Sequence, residues 1–137
     1  MNRAELQRLA KERISDAKVL LAARHWSAAY YLAGYAVECA LKACIAKLMK
    51  AEEFPDKKFT DRCWTHKLED LFKPAELEAD FDADLKADPD LRNNWITVKD
   101  WTAESRYARM TKADAEDLYE AITDRKHGGL SWLKLRW

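Results

Sequence analysis

The sequence predicts an all-α fold, an up-and-down bundle of four to five helices forming one domain over residues 1–137. Only three glycines and three prolines interrupt the chain, and Ala, Leu, Lys, Glu and Asp are abundant. Apolar residues recur at three-to-four spacing along most of the length. A chain of 137 residues suffices for one hydrophobic core and is too short for two ordinary ones. The 24 basic and 24 acidic residues cancel. That balance argues against a nucleic-acid binder working by bulk electrostatics and leaves room for a local basic patch.

The first helix is expected over about residues 3–23, with Leu6, Leu9, Ile14, Ala17, Leu20 and Leu21 on one side and Arg, Lys, Glu and Gln on the other. A break at "RHWS" follows, with Ser27 placed to cap a second helix over about 27–50. On that helix Trp26, Tyr30, Ala33, Val37, Leu41, Cys44 and Leu48 fall on one face. The smaller Ala28, Leu32, Ala36, Cys39 and Ala43 fall on another. Between them runs a third stripe: Ser27, Tyr31, Gly34, Tyr35, Glu38, Lys42 and Ile45. A helix apolar on two faces belongs at the hub of a bundle.

Residues 51–64, "AEEFPDKKFTDRCW", read as a charged loop broken by Pro55. Thr65 is placed to cap a short helix that turns Leu68, Leu71 and Phe72 inward. Pro74 suits the first turn of another helix, carrying Leu77, Phe81 and Leu85, and Asp88-Pro89 starts a third with Leu91, Trp95 and Val98. "DWTAESRYARM" reads as irregular. Thr111 with Asp114 then forms a capping-box-like start to a helix over about 112–126, which "RKHGG" closes with basic groups and a C-cap glycine. The Trp-rich tail "LSWLKLRW" is apolar enough to require packing on the bundle or on a partner.

Cys39, Cys44 and Cys63 lack metal-site spacing, and on a helix Cys39 and Cys44 point about 140° apart. Free thiols, no secretory signal in "MNRAELQRLAKER" and charges inside the most apolar stretch together imply a cytoplasmic protein outside the membrane. No phosphate-binding glycine loop, H-E-x-x-H or G-x-S-x-G occurs, so no cofactor, metal site or standard catalytic residue is predicted. His25, His66 and His127 are far apart in sequence, and Cys63 near His66 has no orienting third group.

Two clusters remain. Glu38 and Lys42 stand one turn apart, acid before base, on the stripe with Tyr31 and Tyr35. They form either a structural ion pair or a polar pocket facing a ligand. In "WTAESRYARM", Arg106 and Tyr107 combine a guanidinium that can clamp phosphate with a ring that can stack on a base. Alternatively, Arg106 pairs with a carboxylate of the second helix such as Glu38 and ties the segment to the core.

These segments, from "RISDAKVLLAARHWSAA" through "YYLAGYAVECALKACI", "THKLEDL" and "WTAESRY" to "DLYEAITDRKHGGLSWLKLRW", resemble the HEPN family, the higher-eukaryote and prokaryote nucleotide-binding domains, in a small stand-alone bacterial form. The resemblance implies a four- to five-helix bundle, often a homodimer. It implies one of two roles. Some members are metal-independent ribonucleases, often toxins, that use R-x(4–6)-H; here no Arg precedes a His at that spacing, and Arg62 with His66 comes nearest, with three residues between them. Others accompany minimal nucleotidyltransferases and are proposed to bind nucleotide. The reading is therefore a non-catalytic domain that binds a nucleotide or an RNA or other nucleic-acid end through Glu38, Lys42, His66, Arg106 and Tyr107, with itself and a nucleotidyltransferase as protein partners. Two alternatives stand beside it: a variant ribonuclease using Arg62 and His66 with Arg106 and Tyr107, and a purely structural dimerisation module. The dimer is motivated by the small-residue face of the second helix and by the Trp-rich tail.

Overall fold

The computed structural model describes residues 1–49 and 54–137. The expected end of the second helix at residue 50 and the start of the charged loop lie outside the described residues. Among the described residues are seven α-helices: α1 (Arg3–Ala22), α2 (Trp26–Leu48), α3 (Lys57–Cys63), α4 (Glu78–Ala87), α5 (Pro89–Lys99), α6 (Lys112–Thr123) and α7 (Gly129–Lys134). Two 3-10 turns, Glu69–Leu71 and Ala103–Tyr107, complete them, and no strand occurs among the described residues. No helix of the described residues is long and apolar enough to cross a membrane.

Helix α1 opens with a capping box, Asn2 Oδ1 accepting from Glu5 N–H while Glu5 accepts from Asn2 N–H. It ends without glycine. Arg24 takes the left-handed conformation at φ 64°, and the His25 and Arg24 amides donate back to Leu20 and Leu21 in a Schellman turn. Helix α2 then begins at Trp26, one residue before the expected cap. Ser27 does not cap it: its hydroxyl accepts from Met110 N–H at 2.9 Å and holds the chain leading into α6.

The hub expected of α2 is what the packing shows. Helices α1, α6 and α7 and the 3-10 turn Ala103–Tyr107 all contact it. Of its small face, Ala36, Cys39 and Ala43 are buried inside the chain, while Leu32 is half-buried and Ala28 exposed. This close approach is clearest at Gly34, where a Cβ would sit 2.2 Å from the indole of Trp101. Glycine is required there because the buried Trp101 lies directly on the backbone of α2.

Between α2 and α5 the sequence reading needs three corrections. Part of the charged loop is α3, capped by Asp56 and anchored by Phe59 and Cys63 one turn apart. Thr65 caps a turn, its hydroxyl accepting from Lys67 N–H, but only one 3-10 turn follows; Leu68, Leu71 and Phe72 are nevertheless buried as expected. Pro74 lies in the turn before α4, which starts four residues later, because Glu76 takes a left-handed φ of 57°. Asp88 and Pro89 start α5 as cap and first residue.

The end of the chain differs as well. Helix α6 has its capping box, Thr111 with Asp114, but stops at Thr123. Asp124 accepts from the amides of Lys126 and His127 and turns the chain, so "RKH" follows the helix and the glycine pair starts α7. Trp132 and Leu133 of the tail pack back into the core. Trp132 sits edge-on to Phe81 at 4.7 Å, Phe81 stacks on Phe72 at 4.4 Å, and Trp95 closes the cluster. Such aromatic pairs contribute about 0.5–1.5 kcal/mol each beyond burial. The Trp132 indole donates to Asp84, which also pairs with Arg136 at 3.2 Å.

Candidate functional site

Glu38 is only 3% exposed, yet it lies one helical turn from solvent through Lys42. Its Oε1 accepts from Lys42 Nζ at 2.9 Å and from His66 Nδ1 at 2.8 Å. The first bond follows from i,i+4 geometry on α2. The second comes from the far end of the loop: Leu68, Leu71 and Phe72 are buried beneath the turn, and this fixes His66 over the helix. An ionised carboxylate only accepts, so Nδ1 of His66 carries the proton and Nε2 faces outward from a ring 62% exposed. Three of the residues singled out in the sequence thus form one charge-assisted cluster.

Farther up α2, Tyr31 and Tyr35 lie with parallel rings 6.1 Å apart, and Tyr31 stacks on Trp101 at 6.1 Å. Burial, then the neighbouring Cys39 thiol, pushes the Tyr35 phenol up to about 12. Burial likewise pushes the Cys39 thiol up to about 11 and raises that of Cys63. These thiols are the reverse of activated nucleophiles, which sets aside a Cys63–His66 pair.

Arg106 does not meet Glu38, whose side-chain partners among the described residues are Lys42 and His66. The tie between Arg106 and a carboxylate of α2 is therefore corrected. Its guanidinium lies 4.9 Å over the ring of Tyr107, and the phenol oxygens of Tyr107 and then Tyr31 push its pKa up. Arg106 is exposed and Tyr107 is 80% exposed, so both face solvent at the Tyr31 end of the stripe. Arg62 is turned elsewhere: its Nε donates to the Lys58 carbonyl, and it lines a hollow of about 320 Å³ with Glu69, Asp70, Lys73 and Glu78. Positions 31, 35, 38 and 42 span roughly 16 Å of α2. The stripe is a partly exposed strip, with Arg106 at one end, Lys42 and His66 around the buried Glu38 at the other, and the two tyrosines between.

Sequence reasoning missed Trp101 and Gly34 as the floor of this strip, although both lay in the stretches it singled out. It also missed one polar cluster: Asp88 Oδ2 accepts from His127 Nδ1 at 2.7 Å, with Asp90 Oδ2 3.8 Å from His127 Nε2. These three residues hold donor atoms within 4.8 Å of one another. Their bonding is already accounted for, since Asp88 Oδ1 caps α5 and Oδ2 holds the imidazole. The hydrogen bond to Asp88 raises the pKa of His127 and lowers that of Asp88, making the pair a tie between α5 and the turn before α7.

An all-α bundle with a wrapped second helix carries a carboxylate–lysine–histidine cluster and a strip of tyrosines on that helix. The family model of the HEPN domain matches residues 4–125, and the chain belongs to the HEPN family. No curated protein and no solved structure matches it.

Proposed function

We propose that this HEPN domain works by binding a nucleotide or a nucleic-acid end along the strip from Tyr107 to His66. The observation that carries this reading is the Arg106–Tyr107 stack: a guanidinium and a ring face solvent together beside the Tyr31–Tyr35 pair. Arg106 and Lys42 supply charge for phosphate, Tyr107 supplies a stacking face, and Glu38 orients Lys42 and His66. The three cysteines are free, which suits a reducing compartment such as the cytoplasm. Family resemblance supports two protein partners, a second copy of the chain and a minimal nucleotidyltransferase.

The test is thermal unfolding with and without ATP or GTP. A ligand at one hundred times its Kd stabilises by about 2.7 kcal/mol. Stabilisation in the wild type, lost in Arg106→Ala and Tyr107→Ala, supports the reading. No stabilisation, together with a concentration-dependent melting temperature, replaces it with a structural dimerisation module.

A second reading is favoured by one observation. A buried carboxylate holding Nδ1 of an exposed histidine leaves Nε2 free for proton transfer, as a variant ribonuclease would need. Lys42, not Arg62, is the cation at that histidine. RNA cleavage by purified protein that disappears in His66→Ala would establish this activity.

A further inference from the structure

The charge of this chain balances overall but not locally. Residues 69–90 hold nine acids against Lys73 and Lys86 alone, in a chain of zero net charge. One hollow of about 210 Å³, between the 3-10 turn Glu69–Leu71, α4 and α5, concentrates the imbalance. Its floor is apolar: Leu85 and the rings of Phe72, Phe81 and Trp95, which pack on one another at 4.4–5.2 Å. The charged groups lining it are Glu69, Glu78 and Asp82, all exposed and all negative.

Elsewhere in the bundle acids stand beside cations: Asp16 has Arg13, Glu116 has Lys112, and Asp84 has Arg136. The side chains of Glu69, Glu78 and Asp82 have no ion-pair partner among the described residues. Helix α4 even sets Glu78 and Asp82 one turn apart, an i,i+4 pair of like charges that weakens the helix. The helix dipole favours Glu78 in the first turn. It gives no such reason for Asp82, in the second turn, or for Glu69, on another element. The adjoining hollow shares Glu69 and Glu78 but also holds Arg62 and Lys73, so its charge is mixed. Only the first is purely acidic, and a cleft of one sign with apolar walls concentrates its field on a cation that enters.

We propose that this hollow is the docking site for an arginine in a basic segment of a partner protein. The guanidinium meets the carboxylates and its stem covers the apolar floor. Arginine suits the site because its planar fork reaches several carboxylates, stacks on rings and is more weakly hydrated than an ammonium. The hollow has room for about seven water-sized groups of about 30 Å³ each, enough for a whole arginine side chain. The acidic run continues beyond the hollow, with Asp80, Asp88 and Asp90 outside its lining, which fits an extended basic segment better than a single small cation. This site is independent of the nucleotide reading, since none of its residues belongs to the strip.

The experiment is fluorescence anisotropy at low salt with labelled hexa-arginine and hexalysine peptides. It compares the wild type, Glu69→Gln/Glu78→Gln/Asp82→Asn, and Asp80→Asn/Asp117→Asn/Glu120→Gln, which removes the same charge outside the hollow. Hexa-arginine should bind the wild type more tightly than hexalysine does. The first variant should weaken it about 10- to 100-fold, and the second less than about 3-fold. Equal losses in the two variants would reduce the contact to bulk charge, and equal affinity for the two peptides would leave the hollow unused. Either result overturns the proposal, as does no binding of hexa-arginine. Should the first variant lose its far-UV circular dichroism, Asp82→Asn alone carries the test. It should then weaken hexa-arginine about 3-fold or more, and unchanged affinity overturns the proposal. Displacement of hexa-arginine by spermidine at concentrations below the peptide's own Kd reassigns the hollow to a small polycation and overturns the protein partner.

Discussion

At the scale of single residues, the decisive feature is that one oxygen of Glu38 serves two partners from different parts of the chain. The Lys42 half was legible because i,i+4 spacing dictates it. His66 was singled out by its local motif, but its bond to Glu38 spans 28 residues and depends on how the loop folds. Hydrogen bonds to charged groups contribute about 1.5–3 kcal/mol when shielded. Because Lys42 is a quarter exposed, screening lowers this, and Lys42→Ala is expected to cost about 1–2 kcal/mol. Urea melts of Lys42→Ala, Glu38→Ala and the double variant check it; a coupling energy of zero would mean that the pair is not a stabilising contact. The His127–Asp88 bond gives a pH signature. The folded pKa of His127 is raised, so its contribution is complete below its unfolded pKa and disappears as pH rises through the folded value. The folded pKa of Asp88 is lowered, so its contribution is present above its unfolded pKa and disappears as pH falls through the folded value. The difference in melting temperature between wild type and His127→Ala should be largest near about pH 5–6 and shrink by about pH 9. A difference that grows with pH would refute the assignment.

At the scale of elements, the long helices were legible because each repeats its apolar pattern over three or more turns. Helix α3 was not, since its seven residues offer only Phe59 and Cys63 as anchors within a strongly charged stretch. The boundary between α6 and α7 was misplaced for a different reason. Asp124 turns the chain with its side chain, so the glycines were free to start the next helix instead of ending the last. Two positions convert these local geometries into predictions. Arg24 takes a left-handed conformation that costs an L-residue about 1 kcal/mol or more, and its side chain is exposed. Arg24→Gly should therefore raise stability by roughly 0.5–1 kcal/mol in a denaturant melt, since glycine fits the turn but loses more entropy. A loss of stability would show that Arg24 makes a contact worth more than its strain. Gly34→Ala should do the opposite. The new methyl gains up to about 1 kcal/mol of helix propensity but displaces the Trp101 indole from a fully packed site. The net effect is a loss of at least about 2 kcal/mol, with a change in near-ultraviolet circular dichroism as Trp101 moves. Wild-type stability and spectrum in Gly34→Ala would contradict the close packing of Trp101 on α2.

At the scale of the whole molecule, composition was a good guide to fold and a poor one to surfaces. A helix with two apolar faces suggested a hub, yet periodicity alone leaves open whether the second face meets the chain's own helices or another copy. Within one chain Ala36, Cys39 and Ala43 of that face and Trp132 and Leu133 of the tail are buried, while Ala28 and Leu135 are exposed. The proposed homodimer must therefore use apolar surface that the fold leaves outside. Leu48, Met49 and Phe54 line one hollow of about 370 Å³, and Leu48 with Leu135 lines a second, so these four exposed side chains adjoin through Leu48. They lie at the C-terminal end of α2, away from Arg106 and Tyr107, which stand near its other half beside Tyr31. Association through this patch would leave the Arg106–Tyr107 end of the strip open. The expected light-scattering mass at micromolar concentration is twice the 15.9 kDa of the chain, with a melting temperature that rises with concentration. Met49→Glu combined with Leu135→Glu should return the mass to that of one chain, because burying two unpaired carboxylates in an apolar interface costs several kcal/mol. The same variant should retain ATP stabilisation, since its substitutions are remote from Arg106 and Tyr107. A monomer mass for the wild type would remove the homodimer, and loss of ATP stabilisation in the charged variant would show that dimer and binding strip are one site.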